Sequence, residues 1–375
     1  MKIILSEYSS GFSDYSYLLC NELACDSEIT NLVYLSDENN PYMGQINDRV
    51  CKIKLFSAFK ADKAHKKGSI RWALNRYITS VRNCKRRNRF VLQEKPDSLL
   101  IQATLSKFDS KYLKALKGKT KIILTVHDVI VPTSSKSWDI KSLKKMYDIA
   151  DVLVVHSKTN AEQLHDMFYI PFEKIKVIPH GIKSEYRKLD KQYCREKLNI
   201  HDNKRILLFY GNIRESKGLD ILIQALKGVN CRLIIAGSPF YGETFDAYRK
   251  LIEENKICTT EFIEFTDDAF RDILFQASDF LVLPYKEFYS QSGVFMQGIQ
   301  YHLPIIATDV SSFREYIEHY GIGFIANAND SQNLHDVIVA ALKNTEDYEA
   351  NMCVAVKENS WETVGAKYAE VLRVK

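Results

Sequence analysis

ILLFYGNIRESKGLDILIQAL, Ile206 to Leu226, contains a strand, a glycine-bounded turn and a helix in succession. The apolar run Ile206 to Tyr210 suits a strand buried on both faces of a parallel sheet. Leu219, Leu222, Ile223 and Leu226 then recur at the i, i+3, i+4, i+7 spacing of a helix face. The turn between them therefore falls at the carboxyl edge of a sheet, where open α/β folds bind ligands. It carries two cations, Arg214 and Lys217. Free N–H groups and the helix dipole favour negative charge at such a helix start, so the run predicts a phosphate site.

Outward from this run, short apolar segments alternate with helical stretches in two series. The first comprises Lys2 to Leu5, Asn31 to Leu35, Ser98 to Gln102, Lys121 to His127, Val152 to Ser157 and Lys176 to Gly181. The second comprises Ile206 to Gly211, Arg232 to Gly237, Phe262 to Phe265, Phe280 to Pro284, Pro304 to Thr308 and Gly323 to Ala326. Regular alternation of strand and helix predicts parallel βα units. The charged stretch Lys183 to Lys204 separates the two series and is the expected linker. In the final segment, Trp361, Val364, Tyr368 and Val371 share one helical face.

Composition bounds the function classes. At 375 residues, and about 150 residues per domain, two domains are expected. Hydrophobic residues form 46% and charged residues 26%, which argues for a real core and against disorder. The eight cysteines are scattered, with no CxxC pair and no Cys/His cluster at metal-ligand spacing, so a reduced, cytoplasmic protein without structural zinc is expected. No apolar run suits a signal peptide or a membrane span.

The net charge of +5 is unevenly placed. Between Lys60 and Lys95, twelve lysines and arginines face only Asp62 and Glu94 and interleave with Trp72, Leu74, Tyr77, Ile78 and Val81. This pattern predicts a basic amphipathic helix. It can lie on an anionic membrane surface, each cation near the surface adding about 1 kcal/mol of attraction; the competing role is a helix packed on its own domain with solvated charges. Nucleic acid is not expected as a partner, because no nucleic-acid motif accompanies the charge.

Several landmarks follow one another in a particular order. They are SSGFSDYSYLLCNEL (Ser9 to Leu23), TVHDV (Thr125 to Val129), HSKTNAEQL (His156 to Leu164), VIPHGI (Val177 to Ile182), YGNIRESKG (Tyr210 to Gly218), LIIAG (Leu233 to Gly237), ASDFLVLPY (Ala277 to Tyr285) and SQSGVFMQGIQYHLPIIATDVSSFREYI (Ser290 to Ile317). In these residues the chain resembles the retaining GT-B glycosyltransferases of family 4 over almost its whole length, in the form used for bacterial surface polysaccharides.

The resemblance implies an α/β protein of two doubly wound, Rossmann-like domains facing a central cleft. Residues 1–183 would bind the acceptor, with helix 360–375 packing back on them, and residues 184–359 would bind the nucleotide-sugar. It implies retaining transfer from a UDP- or GDP-sugar to a saccharide or lipid-linked saccharide, in the cytoplasm or on the inner face of the cell membrane. A nucleotide-sugar epimerase of the same architecture and a catalytically idle nucleotide-sugar-binding protein are the alternatives.

Displacing a nucleotide diphosphate from an anomeric carbon builds charge on the leaving phosphate, so cations and backbone donors aimed there are the main requirement. Lys217 and Arg214 match in type. The family's arginine directly follows the glycine, where this chain has Asn212, and Arg214 is the candidate substitute. A second anion contact is expected at Ser292, Gly293 and Val294, which open a helix. The family's glutamate pair falls on Tyr289 and Gln297. Gln297 can still hydrogen-bond a ribose hydroxyl, though without a carboxylate's charge. Glu287 either reaches the sugar or is an exposed loop residue.

From the N-terminal half, His127 would contact the donor sugar; the competing role is a histidine held by neighbouring backbone. Gly11 would let its loop approach the sugar or diphosphate, or else serves only a turn. No metal or other cofactor is expected, since Arg214 and Lys217 could neutralise the diphosphate.

Overall fold

The computed structural model describes residues 1–8, 13–58, 69–102, 106–130, 137–183, 185–240, 244–289 and 291–374. Two compact units result. Unit 1 is Met1–Gly181 with Trp361–Lys375, and unit 2 is Ile182–Ser360.

The sheet of unit 1 contains β1 (Lys2–Ser6), β2 (Asn31–Asp37), β3 (Val50–Phe56), β4 (Ser98–Ile101), β5 (Lys121–Thr125), β6 (Val152–Val155) and β7 (Ile175–Val177). They lie in the order β3-β2-β1-β4-β5-β6-β7, all parallel. Unit 2 contains β8 (Arg205–Tyr210), β9 (Cys231–Ala236), β10 (Thr259–Phe262), β11 (Phe280–Leu283), β12 (Ile305–Thr308) and β13 (Gly323–Ala326). Their order is β10-β9-β8-β11-β12-β13, again all parallel. Strand order reverses between β1 and β4 in one sheet and between β8 and β11 in the other. At such switch points the flanking helices leave in opposite directions and open a crevice at the carboxyl edge.

Central strands are apolar on both faces because helices cover both: Ile3, Ile4 and Leu5 of β1 and Ile206, Leu207 and Leu208 of β8 are fully buried. Edge strands differ. β3 (VCKIKLF) alternates buried and exposed positions and carries two lysines, so it is absent from the apolar runs read in the sequence. β10 is Thr259–Phe262, ahead of the expected Phe262 to Phe265, and Phe265 is 87% exposed.

The expected linker, Lys183 to Lys204, belongs structurally to unit 2. Asp190 caps the helix Lys191–Lys197 by accepting from the Tyr193 N–H, and Cys194, Leu198 and Ile200 enter the unit's core. Asp279 holds this segment to β8, accepting from Lys191 Nζ at 2.7 Å, Arg195 at 2.8 Å and the Ile206 N–H at 2.7 Å. The helix Trp361–Arg373 buries Trp361, Val364, Tyr368 and Val371 against unit 1.

The basic segment begins in residues 59–68, outside those described, and continues as the helix Ile70–Glu94, capped by Ser69. Its polarity is inverted. The buried face is Thr79, Ser80, Asn83, Cys84, Arg87, Asn88 and Val91, while Leu74, Tyr77 and Ile78 are 56%, 48% and 46% exposed. Polar docking is satisfied: Asn83 exchanges hydrogen bonds with the Ser57 backbone at 3.0 and 3.1 Å, and Asn88 donates to the Tyr112 carbonyl at 2.6 Å. Arg87, counted in the sequence among the surface cations, is instead fully buried and pairs with Asp109 at 2.7 Å. Tyr8 also donates to Asp109. Burial opposes the Asp109 charge, but Arg87, Tyr8 and Cys84 hold the carboxyl below the usual carboxylate range. Among the described residues no helix is long and apolar enough to cross a membrane.

Asp109→Ala would strand the Arg87 charge in the core, and unit 1 is expected to lose about 3–5 kcal/mol of stability in urea unfolding. Because the folded carboxyl titrates lower than the unfolded one, the pair's contribution should be present at neutral pH and fade as pH falls into the acid range. A loss under about 1 kcal/mol would show that this pair does not hold the helix.

Candidate active site

In unit 2 the backbone geometry places the cations. β8 runs into Gly211 at φ 108°, where a Cβ would lie 3.2 Å from Val294 Cγ2. The chain then passes Arg214 and Lys217 to Gly218 at φ 68°, where a Cβ would lie 1.9 Å from the Pro284 carbonyl oxygen. Only glycine permits that approach, and it brings the start of the helix Leu219–Ala225 against the end of β11. The turn is thus seated at the β8/β11 switch point.

Lys217 lies among aromatic rings, with Nζ 3.5 Å from the Tyr285 ring centre and 4.3 Å from that of Phe288. Burial, and then the Arg214 charge, push its ammonium down to about 6. Arg214 lies 5.9 Å over Phe240, and its buried Nε has no hydrogen-bond partner. Among the described residues neither cation has an acidic partner. Lys286, by contrast, pairs with Asp220 at 2.8 Å. Asn212 is exposed.

The second expected contact lies beside them. Ser292 caps the helix Gly293–Gln300 by accepting from the Phe295 N–H, and its hydroxyl lies 3.3 Å from that of Tyr285. A Cβ at Gly293 would meet nothing within 4 Å, so protein packing does not demand the glycine. The helix start is open to a ligand. Gln297, one turn on, has a buried Oε1 without a hydrogen-bond partner, and Gln291 has a buried Nε2 in the same condition. Glu287 is exposed on the loop after β11, and Tyr289 is 39% exposed.

Unit 1 has its own polar cluster at the carboxyl edge. His127, after β5, is 8% exposed, and its Nδ1 lies 3.0 Å from His156 Nε2. His156 Nδ1 lies 3.0 Å from the Ile178 carbonyl and can only donate to it. The order of donors follows. His156 Nε2 accepts from His127 Nδ1–H, which leaves His127 Nε2 as an acceptor toward Gln102, 3.2 Å away, and requires that amide to present its NH2. Burial, then His156 and His180, hold His127 well below the usual histidine range; burial and His180 bring His156 to about 3. Both are neutral at pH 7.

Tyr15 packs edge-on against His127, His180 and Trp361 at 4.8, 5.2 and 4.9 Å. Its hydroxyl donates to Tyr368, which lies 2.8 Å from Thr125 Oγ1, so the C-terminal helix braces the end of β5. Glu7, just past β1, is buried; desolvation lifts its carboxyl to about 7, against hydrogen bonds from Tyr34 at 2.6 Å and from Ser13. Gly11 lies outside the described residues.

The structure therefore brings Arg214, Lys217, Ser292, Gly293 and Val294 together at one switch point, while Glu287 is exposed nearby and His127 sits in unit 1. Sequence reading missed Tyr285, Phe288 and Gln291, and in unit 1 Glu7, Tyr15, Gln102 and His156. Three of these had a signal at the end of an apolar strand: Tyr285 two residues past FLVL, Gln102 directly after SLLI and His156 directly after VLVV.

Comparison with known proteins identifies the arrangement. The family model for glycosyl transferases group 1 matches residues 190–360, and that for glycosyltransferase family 4 matches residues 53–186. The chain is 22% identical over 220 residues to the lipopolysaccharide 1,2-N-acetylglucosaminetransferase of Salmonella typhimurium, covering 54% of this chain and 58% of that protein. It is 22% identical over 250 residues to the N-acetyl-alpha-D-glucosaminyl L-malate synthase of Bacillus anthracis, covering 65% and 64%. It thus spans less than two thirds of either relative's length. The fold matches Anabaena HepE in complex with UDP at a TM-score of 0.75 and 16% identity, over 99% of both chains. Two parallel sheets with an anion-ready switch point, the two matched families and these structural neighbours agree: the chain belongs to the group 1, family 4 glycosyltransferases and has their GT-B fold.

Proposed function

We propose that this protein moves a sugar from a nucleotide diphosphate-sugar to a saccharide or lipid-linked saccharide, with retention of anomeric configuration, in the assembly of a surface polysaccharide or glycolipid. The observation that carries the reading is the pair Arg214 and Lys217, without acidic partners among the described residues, at a helix start on the β8/β11 switch point. The donor's diphosphate is placed there on unit 2, between these cations and the N–H groups that open the helix at Gly293. Gln297, with its unpartnered carbonyl oxygen, is assigned a donor hydroxyl.

In the reaction the bond from the anomeric carbon to the diphosphate oxygen breaks and a bond to the acceptor oxygen forms on the same face. The acceptor's proton passes to the leaving phosphate, and Lys217 and Arg214 stabilise the charge that develops there. Family resemblance supports this front-face course. Unit 1 is assigned the acceptor; His127 is assigned sugar hydroxyls and would act neutral, its tautomer set through His156 and Ile178. Glu287 is assigned to the sugar's hydroxyls. No metal is assigned, because two cations balance the diphosphate.

The helix Ile70–Glu94 is assigned to an anionic membrane surface on the cytoplasmic side. Its outward stripe of Leu74, Tyr77, Ile78 and Val81 would enter the headgroup region, flanked by exposed Arg82, Lys85, Arg86 and Arg89. Its polar face is already used in docking to unit 1.

Lys217→Ala and Arg214→Ala should each weaken UDP or GDP binding about tenfold and slow turnover by roughly 10²–10³. In calorimetry at pH 7.5, diphosphate binding should take up a proton as Lys217 charges, and Lys217→Ala should abolish that uptake. Negligible losses in both variants would return the turn to an ordinary surface loop. Transfer activity should survive EDTA; loss restored by manganese would reject the metal-free scheme. The protein should float with liposomes containing anionic lipid and not with neutral ones, and Arg82→Glu/Lys85→Glu/Arg89→Glu should abolish flotation. Equal flotation with both lipids would remove the electrostatic argument.

A further inference from the structure

We propose that His302, Glu349 and Cys353 form a binding site for a transition-metal ion of the zinc class, away from the diphosphate site. His302 follows the helix Gly293–Gln300 at its carboxyl end, opposite the end that carries Ser292. Glu349 and Cys353 stand one turn apart on the helix Glu349–Glu358. The i, i+4 spacing places two ligands on one face, as in helix-borne zinc sites.

The side chains already converge. His302 Nδ1 lies 2.8 Å from a Glu349 oxygen, Cys353 Sγ lies 3.9 Å from Glu349 Oε1, and one ligand atom from each residue falls within 4.8 Å of the others. Tetrahedral zinc with bond lengths of about 2.0–2.3 Å separates its ligand atoms by about 3.5 Å, so small side-chain rotations suffice. The His302 Nδ1 is buried, and despite its distance from Glu349 it has no hydrogen-bond partner in acceptable geometry. The nitrogen and the carboxylate oxygen thus face each other at 2.8 Å without a well-formed hydrogen bond. A metal ion between them satisfies both.

His302 and Glu349 also line a cavity of about 330 Å³ with Tyr186, Tyr301 and Pro304, which leaves room for water as a fourth ligand. Thiolate, imidazole and carboxylate together select zinc, or cobalt in its place, over magnesium, manganese or calcium, which prefer all-oxygen sites. Binding would release the thiol proton to solvent and involve no electron transfer. Its effect would be to tie the helix Glu349–Glu358 to the turn at His302. The site stands independently of the transferase reading, because its measurements need no sugar donor.

The full-length protein, stripped with chelator and titrated with Co²⁺, should develop a thiolate-to-cobalt charge-transfer band saturating at one equivalent, and Zn²⁺ should displace it. Cys353→Ser should remove the band. His302→Asn, which keeps a residue tolerant of the φ of 53° at that position, and Glu349→Gln should each weaken Zn²⁺ binding roughly tenfold or more. Zinc should raise the unfolding temperature of the wild type and not of Cys353→Ser. Absence of the band, its persistence in Cys353→Ser, or unchanged affinity in both His302→Asn and Glu349→Gln would each overturn the proposal, the last outcome marking a single adventitious thiol.

Discussion

The missing side chain of Gly218 is the constraint on which the turn bearing Arg214 and Lys217 depends. With a Cβ only 1.9 Å from the Pro284 carbonyl oxygen, any other residue would push the turn off the end of β11. Because the chain can come that close, Lys217 packs over Tyr285 and Phe288, and the loop after β11 locks to the turn through the Lys286 N–H and the Ser216 carbonyl at 3.0 Å. One backbone approach therefore sets the depth at which the ammonium is buried, and burial is the main reason it titrates so low. An amine desolvated in advance loses little water when an anion arrives and draws a proton onto it.

Unit 1 puts the same sheet logic to another use. Its carboxyl edge carries hydrogen-bonded groups: neutral Gln102, His127 and His156 in one chain of donors, and Glu7, its carboxyl lifted to about 7, under Tyr34 and Ser13. The C-terminal helix closes over this edge through Tyr368 and Trp361. The helix Ile70–Glu94 is held by a buried ion pair and backbone-directed amides, where an apolar face would ordinarily serve. That choice leaves leucine, tyrosine and isoleucine on the outside, which is costly in water and useful at a surface.

How much could be read in advance varied with burial. Central strands such as Ile3 to Leu5 and Ile206 to Phe209 are apolar at every position and were read directly. β3 and β10 were missed or misplaced because both are edge strands that are only partly buried, and lysine, threonine and glutamate dilute their apolar runs. The stretch after Lys183 looked like a linker because its charges are many. Its few apolar residues, Cys194, Leu198 and Ile200, nonetheless enter a core, and Asp279 collects the charges.

By itself the sequence determined the alternation of strands and helices, the two-part division and the residue types around a phosphate, because these depend on local periodicity and on turns whose partners are near in the chain. Only the tertiary structure decided which charges were available. Arg87 and Lys217 are both basic residues near apolar neighbours, yet Asp109 neutralises one, while the other faces aromatic rings and, among the described residues, has no carboxylate beside it. Nothing in spacing distinguishes them, since the partners that settle each charge come from remote segments brought together by parallel crossovers. The same holds for His302, which meets Glu349 and Cys353, one turn apart on their own helix, only because the helix that precedes it packs against theirs.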